Sequence, residues 1–262
     1  RNRLLSPVDN FKGVEAEGVQ RALQVHGLER CVVLVSALHH YSLKKAGGLL
    51  GIGNENVLPV DIDADNRIDM LALKEQIRKL SVQQKRTGIV AVVGIAGTTE
   101  TGTVDPLREL AEVCEKYGLH FHVDAAWGGP ALMSEKYRHI LDGIQSADSV
   151  TIDGHKQFYM PMSCGMVYFR DPEAMDVVRY HANYVIRPGS ADLGMKSLSG
   201  SREAVSIILD SALKIMGTKG YALLIEHGIE TAKAFAEEIR SRNLFQLITS
   251  PVLNILTYRV CP

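Results

Sequence analysis

Near the middle of the chain an apolar run ends in an acid, a glycine, a histidine and a lysine in direct succession: Thr151-Ile152-Asp153-Gly154-His155-Lys156. Lysine is seldom placed at the end of a buried strand without a reason, and one held in a crevice is a natural former of Schiff bases with carbonyl compounds. Upstream, the run His120-Phe121-His122-Val123-Asp124 ends in a second acid. With a strand's period of two, His120, His122 and Asp124 fall on one face, an arrangement that could ligate a metal ion. A carboxylate buried at a strand end requires a cation or several donors, so Asp124 needs a positive partner. Two further clusters bear chemistry. In "SALHHYSLKKAGG", His39 and His40 are ligands, a stacking platform or polar loop residues, and "GIAGTTETGTVDP" is a small-residue turn carrying the hydroxyls of Thr98 and Thr99.

These residues must be positioned by the elements around them. Strand-like runs at 31–36, 56–62, 88–97, 119–126, 147–153 and 164–170 alternate with helical patterns, and several are apolar on both faces, as strands of a covered parallel sheet must be. In "DPLRELAEVCEKYG" the pattern predicts a helix capped by Asp105, with Pro106 in its first position, an apolar face of Leu107, Leu110, Ala111 and Cys114, and a stop at Gly118. Strand, helix and strand in repetition predict a doubly wound α/β domain whose ligands sit beyond the carboxyl ends of the strands. From Ser201 onward the pattern is mostly helical, and "FQLITSPVLNILTYRV" opens a smaller α+β unit. We place the boundary between 1–215 and 216–262.

The chain has 262 residues and a formal net charge of -1, with Lys and Arg scattered along it, so it offers no electrostatic footprint for nucleic acid or an anionic membrane surface. No run approaches the roughly 18 apolar residues of a membrane span, and the first residues lack a signal-peptide pattern. The four cysteines, Cys31, Cys114, Cys164 and Cys261, lie far apart in apolar surroundings, which fits a reducing cytoplasm. The sequence opens at Arg1 and stops just after a strand pattern, which reads as a segment or a processed chain.

The acid and the lysine explain each other. A pyridinium nitrogen is a cation that suits Asp124, and an aldehyde on the same ring is a group that Lys156 can condense with, so the pair points to pyridoxal phosphate. The rival readings are a metal hydrolase using His120, His122 and Asp124, and a binding subunit that keeps the fold without a cofactor.

Taken together, "HHYSLKKAG", "GTTETGTVDPL", "HVDAAWGG", "ADSVTIDGHK" and "GSREA" resemble the group II pyridoxal-phosphate-dependent amino-acid decarboxylases, in order and spacing over nearly the whole chain. The resemblance implies pyridoxal fold type I, that of aspartate aminotransferase, and a homodimer with shared active sites. Residue by residue, it implies that Lys156 carries the cofactor, Asp124 pairs with the ring nitrogen, His40 stacks on the ring and Ala126 packs beneath it. Thr98 would lie near the ring hydroxyl and His155 near the phosphate, with Asp153 grouped among the cofactor-binding residues. Ser201 would reach the neighbouring subunit's phosphate, and Tyr184 of "NYVI" matches the loop tyrosine that approaches the substrate α-carbon. The family's phosphate-cradling turn precedes sequence like that at Arg1. The wording is closest to bacterial members acting on acidic substrates, which implies α-decarboxylation of L-aspartate to β-alanine, then L-glutamate to GABA. Alternatives are 2,4-diaminobutyrate or an aromatic amino acid as substrate, and a carbon–carbon lyase of the sphingosine-phosphate lyase type, suggested by "GSREA" followed by "GTKGY".

Overall fold

The computed structural model describes residues 7–8, 10–82, 86–180, 189, 193–197 and 203–261. Among them a six-stranded sheet runs in the order β2-β1-β3-β4-β5-β6, formed by β1 (Arg30–Ser36), β2 (Val57–Val60), β3 (Thr87–Ile95), β4 (His120–Asp124), β5 (Ser149–Asp153) and β6 (Gly165–Phe169). The first five pair in parallel, and β6 joins β5 antiparallel. Leu34 and Val35 on β1 and Val92 and Val93 on β3 are all buried, as expected of strands whose two faces are both covered. The fold is the mostly parallel α/β arrangement that the alternating pattern predicts.

Helices α1 (Val14–Val25), α2 (Ser42–Leu49), α3 (Met70–Val82) and α4 (Leu107–Tyr117) connect or flank the strands. α4 turns Leu107, Leu110, Val113 and Cys114 to the core, and it stops where Gly118 takes left-handed angles (φ 64, ψ 33) that cost glycine little. The last large helix, α5 (Val205–Arg240), is broken at Gly217 and then buries Tyr221, Ile225 and Ile229 in the same core as the sheet. A two-stranded antiparallel sheet, β7 (Phe245–Thr249) and β8 (Thr257–Val260), closes the described chain.

Asp105 departs from the capping role its sequence context suggests. The residue before α4 is Pro106, with no side-chain cap. Asp105 is instead 3% exposed, and its two carboxylate oxygens accept the Ile68 N–H at 2.7 Å and the Ile95 N–H at 2.8 Å. It thereby ties the last amide of β3 to the segment leading into α3. Burial, only partly offset by those two donors, pushes its carboxyl up to about 6.

A carboxyl with a raised folded pKa contributes most below its unfolded value, and that contribution is lost as the pH rises through the folded one. The shift from 3.8 to about 6 corresponds to about 3 kcal/mol. Relative to wild type, Asp105→Asn should therefore gain up to about 3 kcal/mol between pH 4 and pH 7.5. Urea unfolding of both proteins at the two pH values checks this; a wild-type-to-variant difference that does not change with pH contradicts it.

Candidate active site

The strand order places β1 between β2 on one side and β3 on the other, so the connections leaving β1 and β3 diverge at their carboxyl ends. A crevice forms at such a reversal. Here it holds a cavity of about 650 Å³ lined by residues following β1 (His40, Ser42), following β3 (Thr98, Thr99), at β4 (His122, Asp124, Ala126) and at β5 (Thr151, Asp153, Lys156). Four strand ends that lie far apart in sequence thus meet in one cavity.

The lysine motif is a turn built on one carbonyl. Beyond β5 the chain folds over Cys164 so closely that a Cβ on Gly154 would stand 2.4 Å from Cys164 Sγ, which is why only glycine fits between Asp153 and His155. The Gly154 and His155 amides donate to the Cys164 carbonyl at 2.9 and 3.2 Å, and His155 Nδ1 donates to the same oxygen at 2.8 Å. The proton on Nδ1 leaves His155 Nε2 facing Asp153 Oδ2 at 3.6 Å. The same Asp153 oxygen accepts from Lys156 Nζ at 3.0 Å. Lys156 is half-buried rather than enclosed, held by its neighbour's charge on the cavity wall. His155, turned back on Cys164, is not among the residues lining the cavity. α5 steadies the turn, because Tyr221 donates its hydroxyl to the Phe158 carbonyl at 3.2 Å and packs edge-on against the Phe158 ring.

Asp124 ends β4 with Oδ1 accepting the Ala126 N–H at 3.1 Å, and no lysine or arginine pairs with it among the described residues. His120 and His122 do share its strand face, yet both imidazoles turn to Ser149 on β5, each at 2.8 Å, instead of converging with the carboxylate. No group of three or more His, Cys, Asp or Glu side chains among the described residues could hold a metal ion. Burial pushes the His122 imidazole down, against the opposing pull of the Asp124 charge.

Opposite walls are fixed by local bonds. His40 Nδ1 lies 2.8 Å from Ser42 Oγ, and its ring is tilted against Tyr41 with centroids 4.1 Å apart. Thr98 is buried, and its hydroxyl joins those of Thr101 and Thr103 at 2.5 and 3.1 Å, while Thr103 donates to the Asn66 carbonyl at 2.9 Å. Thr98 is thus committed to holding its own turn. Ile255, from the β7–β8 connection, also lines the cavity, and next to it Asn254 accepts from Trp127 Nε1 at 2.7 Å. Sequence reading does not single out Ser42, Thr151, Asn254 or Ile255. Thr151 lies two residues before Asp153 on the same strand and was within reach of the period-two argument, whereas Asn254 and Ile255 carry no local signal. Tyr184 and Ser201 lie outside the described residues.

Residues 9–261 match the family model described as the pyridoxal-dependent decarboxylase conserved domain. The chain is 49% identical over 262 residues to the aspartate 1-decarboxylase of Aliivibrio fischeri, covering 100% of this chain and 48% of that protein. It is 36% identical over 234 residues to the acidic amino acid decarboxylase GADL1 of Bos taurus, covering 86% of this chain and 44% of that protein. The crystal structure of mouse CSAD in apo form superposes with a TM-score of 0.85 at 29% identity, over 94% of this chain and 50% of that one. The chain therefore spans about half the length of the relatives it matches.

The close approach at Gly154 makes a direct prediction. Gly154→Ala should destabilise the protein by about 1–3 kcal/mol, because the new methyl overpacks a buried thiol and the turn must open. Urea unfolding measures this, and an unchanged midpoint would contradict the packing at Cys164.

Proposed function

The chain belongs to the pyridoxal-dependent decarboxylase family, and from that premise we propose that it is the cofactor-binding part of an enzyme that removes the α-carboxyl group of an acidic L-amino acid. The substrate is L-aspartate, giving β-alanine, with L-glutamate next. The observation that carries this reading is the pairing, in one cavity, of an amine at Lys156 with a carboxylate at Asp124 that lacks a cationic partner among the described residues. The relatives named aspartate 1-decarboxylase and acidic amino acid decarboxylase support the choice of substrate.

The residues present fit pyridoxal phosphate. About 650 Å³ is within the usual range for a small-molecule site, and the donor set suits a ring with a basic nitrogen and an aldehyde. When bound, the cofactor supplies that aldehyde and a protonated ring able to accept the electron pair left by departing CO2. Lys156 presents the amine that anchors it and later releases the product. Asp153, 3.0 Å away, holds the lysine's position and can take up the proton that the amine must lose. Asp124 keeps a proton on the ring nitrogen by opposing its charge. His40, oriented by Ser42, offers a flat face for stacking, and Ala126 leaves room below the ring. Thr98 would lie on the ring's hydroxyl side, and His155, which orders the turn that bears Lys156, would lie near the phosphate. By sequence match alone, Tyr184 gives the proton to the α-carbon and Ser201 reaches the partner subunit's phosphate.

We assign residues 1–215 to the large cofactor domain and 216–262 to the start of the small one, in a cytoplasmic homodimer. The free cysteines support the compartment, and exposed apolar residues such as Leu49, Met162 and Ile215 support a covering partner. No helix among the described residues is long and apolar enough to cross a membrane.

Two measurements test the assignment. Lys156→Ala should leave no cofactor fixed to the protein after borohydride treatment, while its circular dichroism stays that of the wild type; fixation through another lysine would displace Lys156 from its role. Carbon dioxide release from the full-length protein across an amino-acid panel should be fastest with L-aspartate, and preference for tyrosine, histidine or 2,4-diaminobutyrate over both acidic substrates would overturn the substrate.

A further inference from the structure

Two histidines on one face of a central strand are an expensive way to fill space, since valine or isoleucine would pack there without a polar side-chain atom to satisfy. Their hydrogen bonds, together with one longer electrostatic contact to Asp148, form a continuous line. Asp148 Oδ2 stands 4.0 Å from His120 Nδ1, and His120 Nε2 is 2.8 Å from Ser149 Oγ. The same hydroxyl is 2.8 Å from His122 Nδ1, and His122 Nε2 makes a longer contact of 3.4 Å with Thr151 Oγ1. At one end, Asp148 and His120 line a surface cleft; at the other, His122 and Thr151 line the cavity that holds Asp124. Each imidazole enters through one nitrogen and leaves through the other, which is the topology that proton transfer through a ring requires.

Ser149 makes the two rings interdependent. Its hydroxyl has a single proton, so it accepts from one imidazole and donates to the other. Two neutral arrangements satisfy both contacts. In the first, both rings carry the proton on Nε2: His120 donates to Ser149, Ser149 donates to His122 Nδ1, and the His122 Nε2–H faces Thr151 and the cavity. In the second, both carry it on Nδ1, and the direction of every bond is reversed. Burial pushes both imidazoles down, which favours the neutral forms that such a line needs; the Asp148 charge opposes this at His120, and the Asp124 charge opposes it at His122. Ser149 is itself buried, which shields the link from competing solvent.

We propose that Asp148, His120, Ser149, His122 and Thr151 form a proton line that carries one proton from the surface cleft to the cavity floor beside Asp124 when the cofactor is loaded. The proposal rests on the pyridoxal reading of the cavity. Without the cofactor, the Asp124 charge, which no lysine or arginine offsets among the described residues, favours the arrangement with both protons on Nε2. On loading, the His122 Nε2 proton passes by way of the Thr151 hydroxyl to the cofactor's ring nitrogen, where Asp124 holds it. Ser149 gives its proton to His122 Nδ1 and receives the His120 Nε2 proton, and His120 Nδ1 takes one proton from water in the cleft. The balance is one proton lost by solvent and one gained at the ring nitrogen. In the shifted state His120 Nδ1–H faces the Asp148 carboxylate, which stabilises it. Asp124 holds the ring nitrogen's proton, Thr151 hands it over, and the other four are positioning residues that act through Thr151.

Long-range proton–nitrogen NMR spectra of the full-length protein, labelled with ¹⁵N-histidine, read the tautomer of each ring directly. We expect Nε2–H on both His120 and His122 without cofactor and Nδ1–H on both with it, with the shared tautomer lost in Ser149→Ala. Unlike tautomers on the two rings of the wild type, in either state, would overturn the line, as would tautomers that do not change on loading. The wild-type spectra suffice even where the alanine variant does not fold. Failure of the pyridoxal reading has a separate signature, the absence of cofactor absorbance after incubation with pyridoxal phosphate, and unlike tautomers in the cofactor-free protein would overturn the line independently of it.

Discussion

Asp124 carries a half-buried carboxylate at the end of β4, on the strand face that borders the cavity, and the site is organised around that charge. Among the described residues one backbone donor, the Ala126 amide, reaches it. One hydrogen bond of this kind contributes about 1.5–3 kcal/mol when its acceptor is charged, against several kcal/mol to withdraw an ion from water. Water still reaches the half-buried carboxylate, a cationic ligand would replace that water, and the lysine of the cavity, Lys156, is held by Asp153 instead. The acid at β4 thus stays available for a ligand, and the acid at β5 keeps the amine in place until a ligand arrives. Two carboxylates of the same type take different roles because one has a built-in cationic partner and the other has none among the described residues.

Those roles depend on the parallel sheet. In a parallel array every strand ends on the same edge, so the polar residues that terminate buried strands gather there. Register does the fine placement: Asp124 lies opposite Thr151, and His122 lies opposite Ser149, so the two strands share side-chain rows leading from the cleft to the cavity. A shift of one residue would turn His122 and Asp124 to the other face. The register is held in turn by amides bound to side chains outside the ladder, such as Phe121 N–H on Asp148 and Ile95 N–H on Asp105.

Much of this was legible from residue order. Asp124 and Lys156 stand out because each breaks an apolar run where burial makes a charge costly, and such violations are where function is to be sought. The strands were legible from their apolar runs, and α4 from its repeating face and Gly118. The reversed direction of β6 follows from the short link between Asp153 and Gly165, which holds no helix to carry a parallel crossover. Asp105 misled because capping is a local pattern, whereas its partner Ile68 is 37 residues away. The roles of Ser149, Asn254 and Ile255 were not legible, since each acts across a pairing that exists only in the folded chain.

That last group has a consequence for how the cavity forms. Leu253 is 1% exposed in the main core, Asn254 holds Trp127, and Ile255 stands where a Cβ on Gly102 would come within 2.6 Å of its own Cβ. The connection between β7 and β8 therefore seats against both turns, the one after β3 and the one after β4. Trp127 continues the link, because its carbonyl accepts from Gln157 in the lysine turn at 2.7 Å. One wall of the cavity is thus contributed by the C-terminal hairpin, and the bonds at that wall lead directly to the segment bearing Lys156. Docking of the hairpin and ordering of the lysine turn are parts of one packing event, so a site built on strand ends is completed by residues from the far end of the chain.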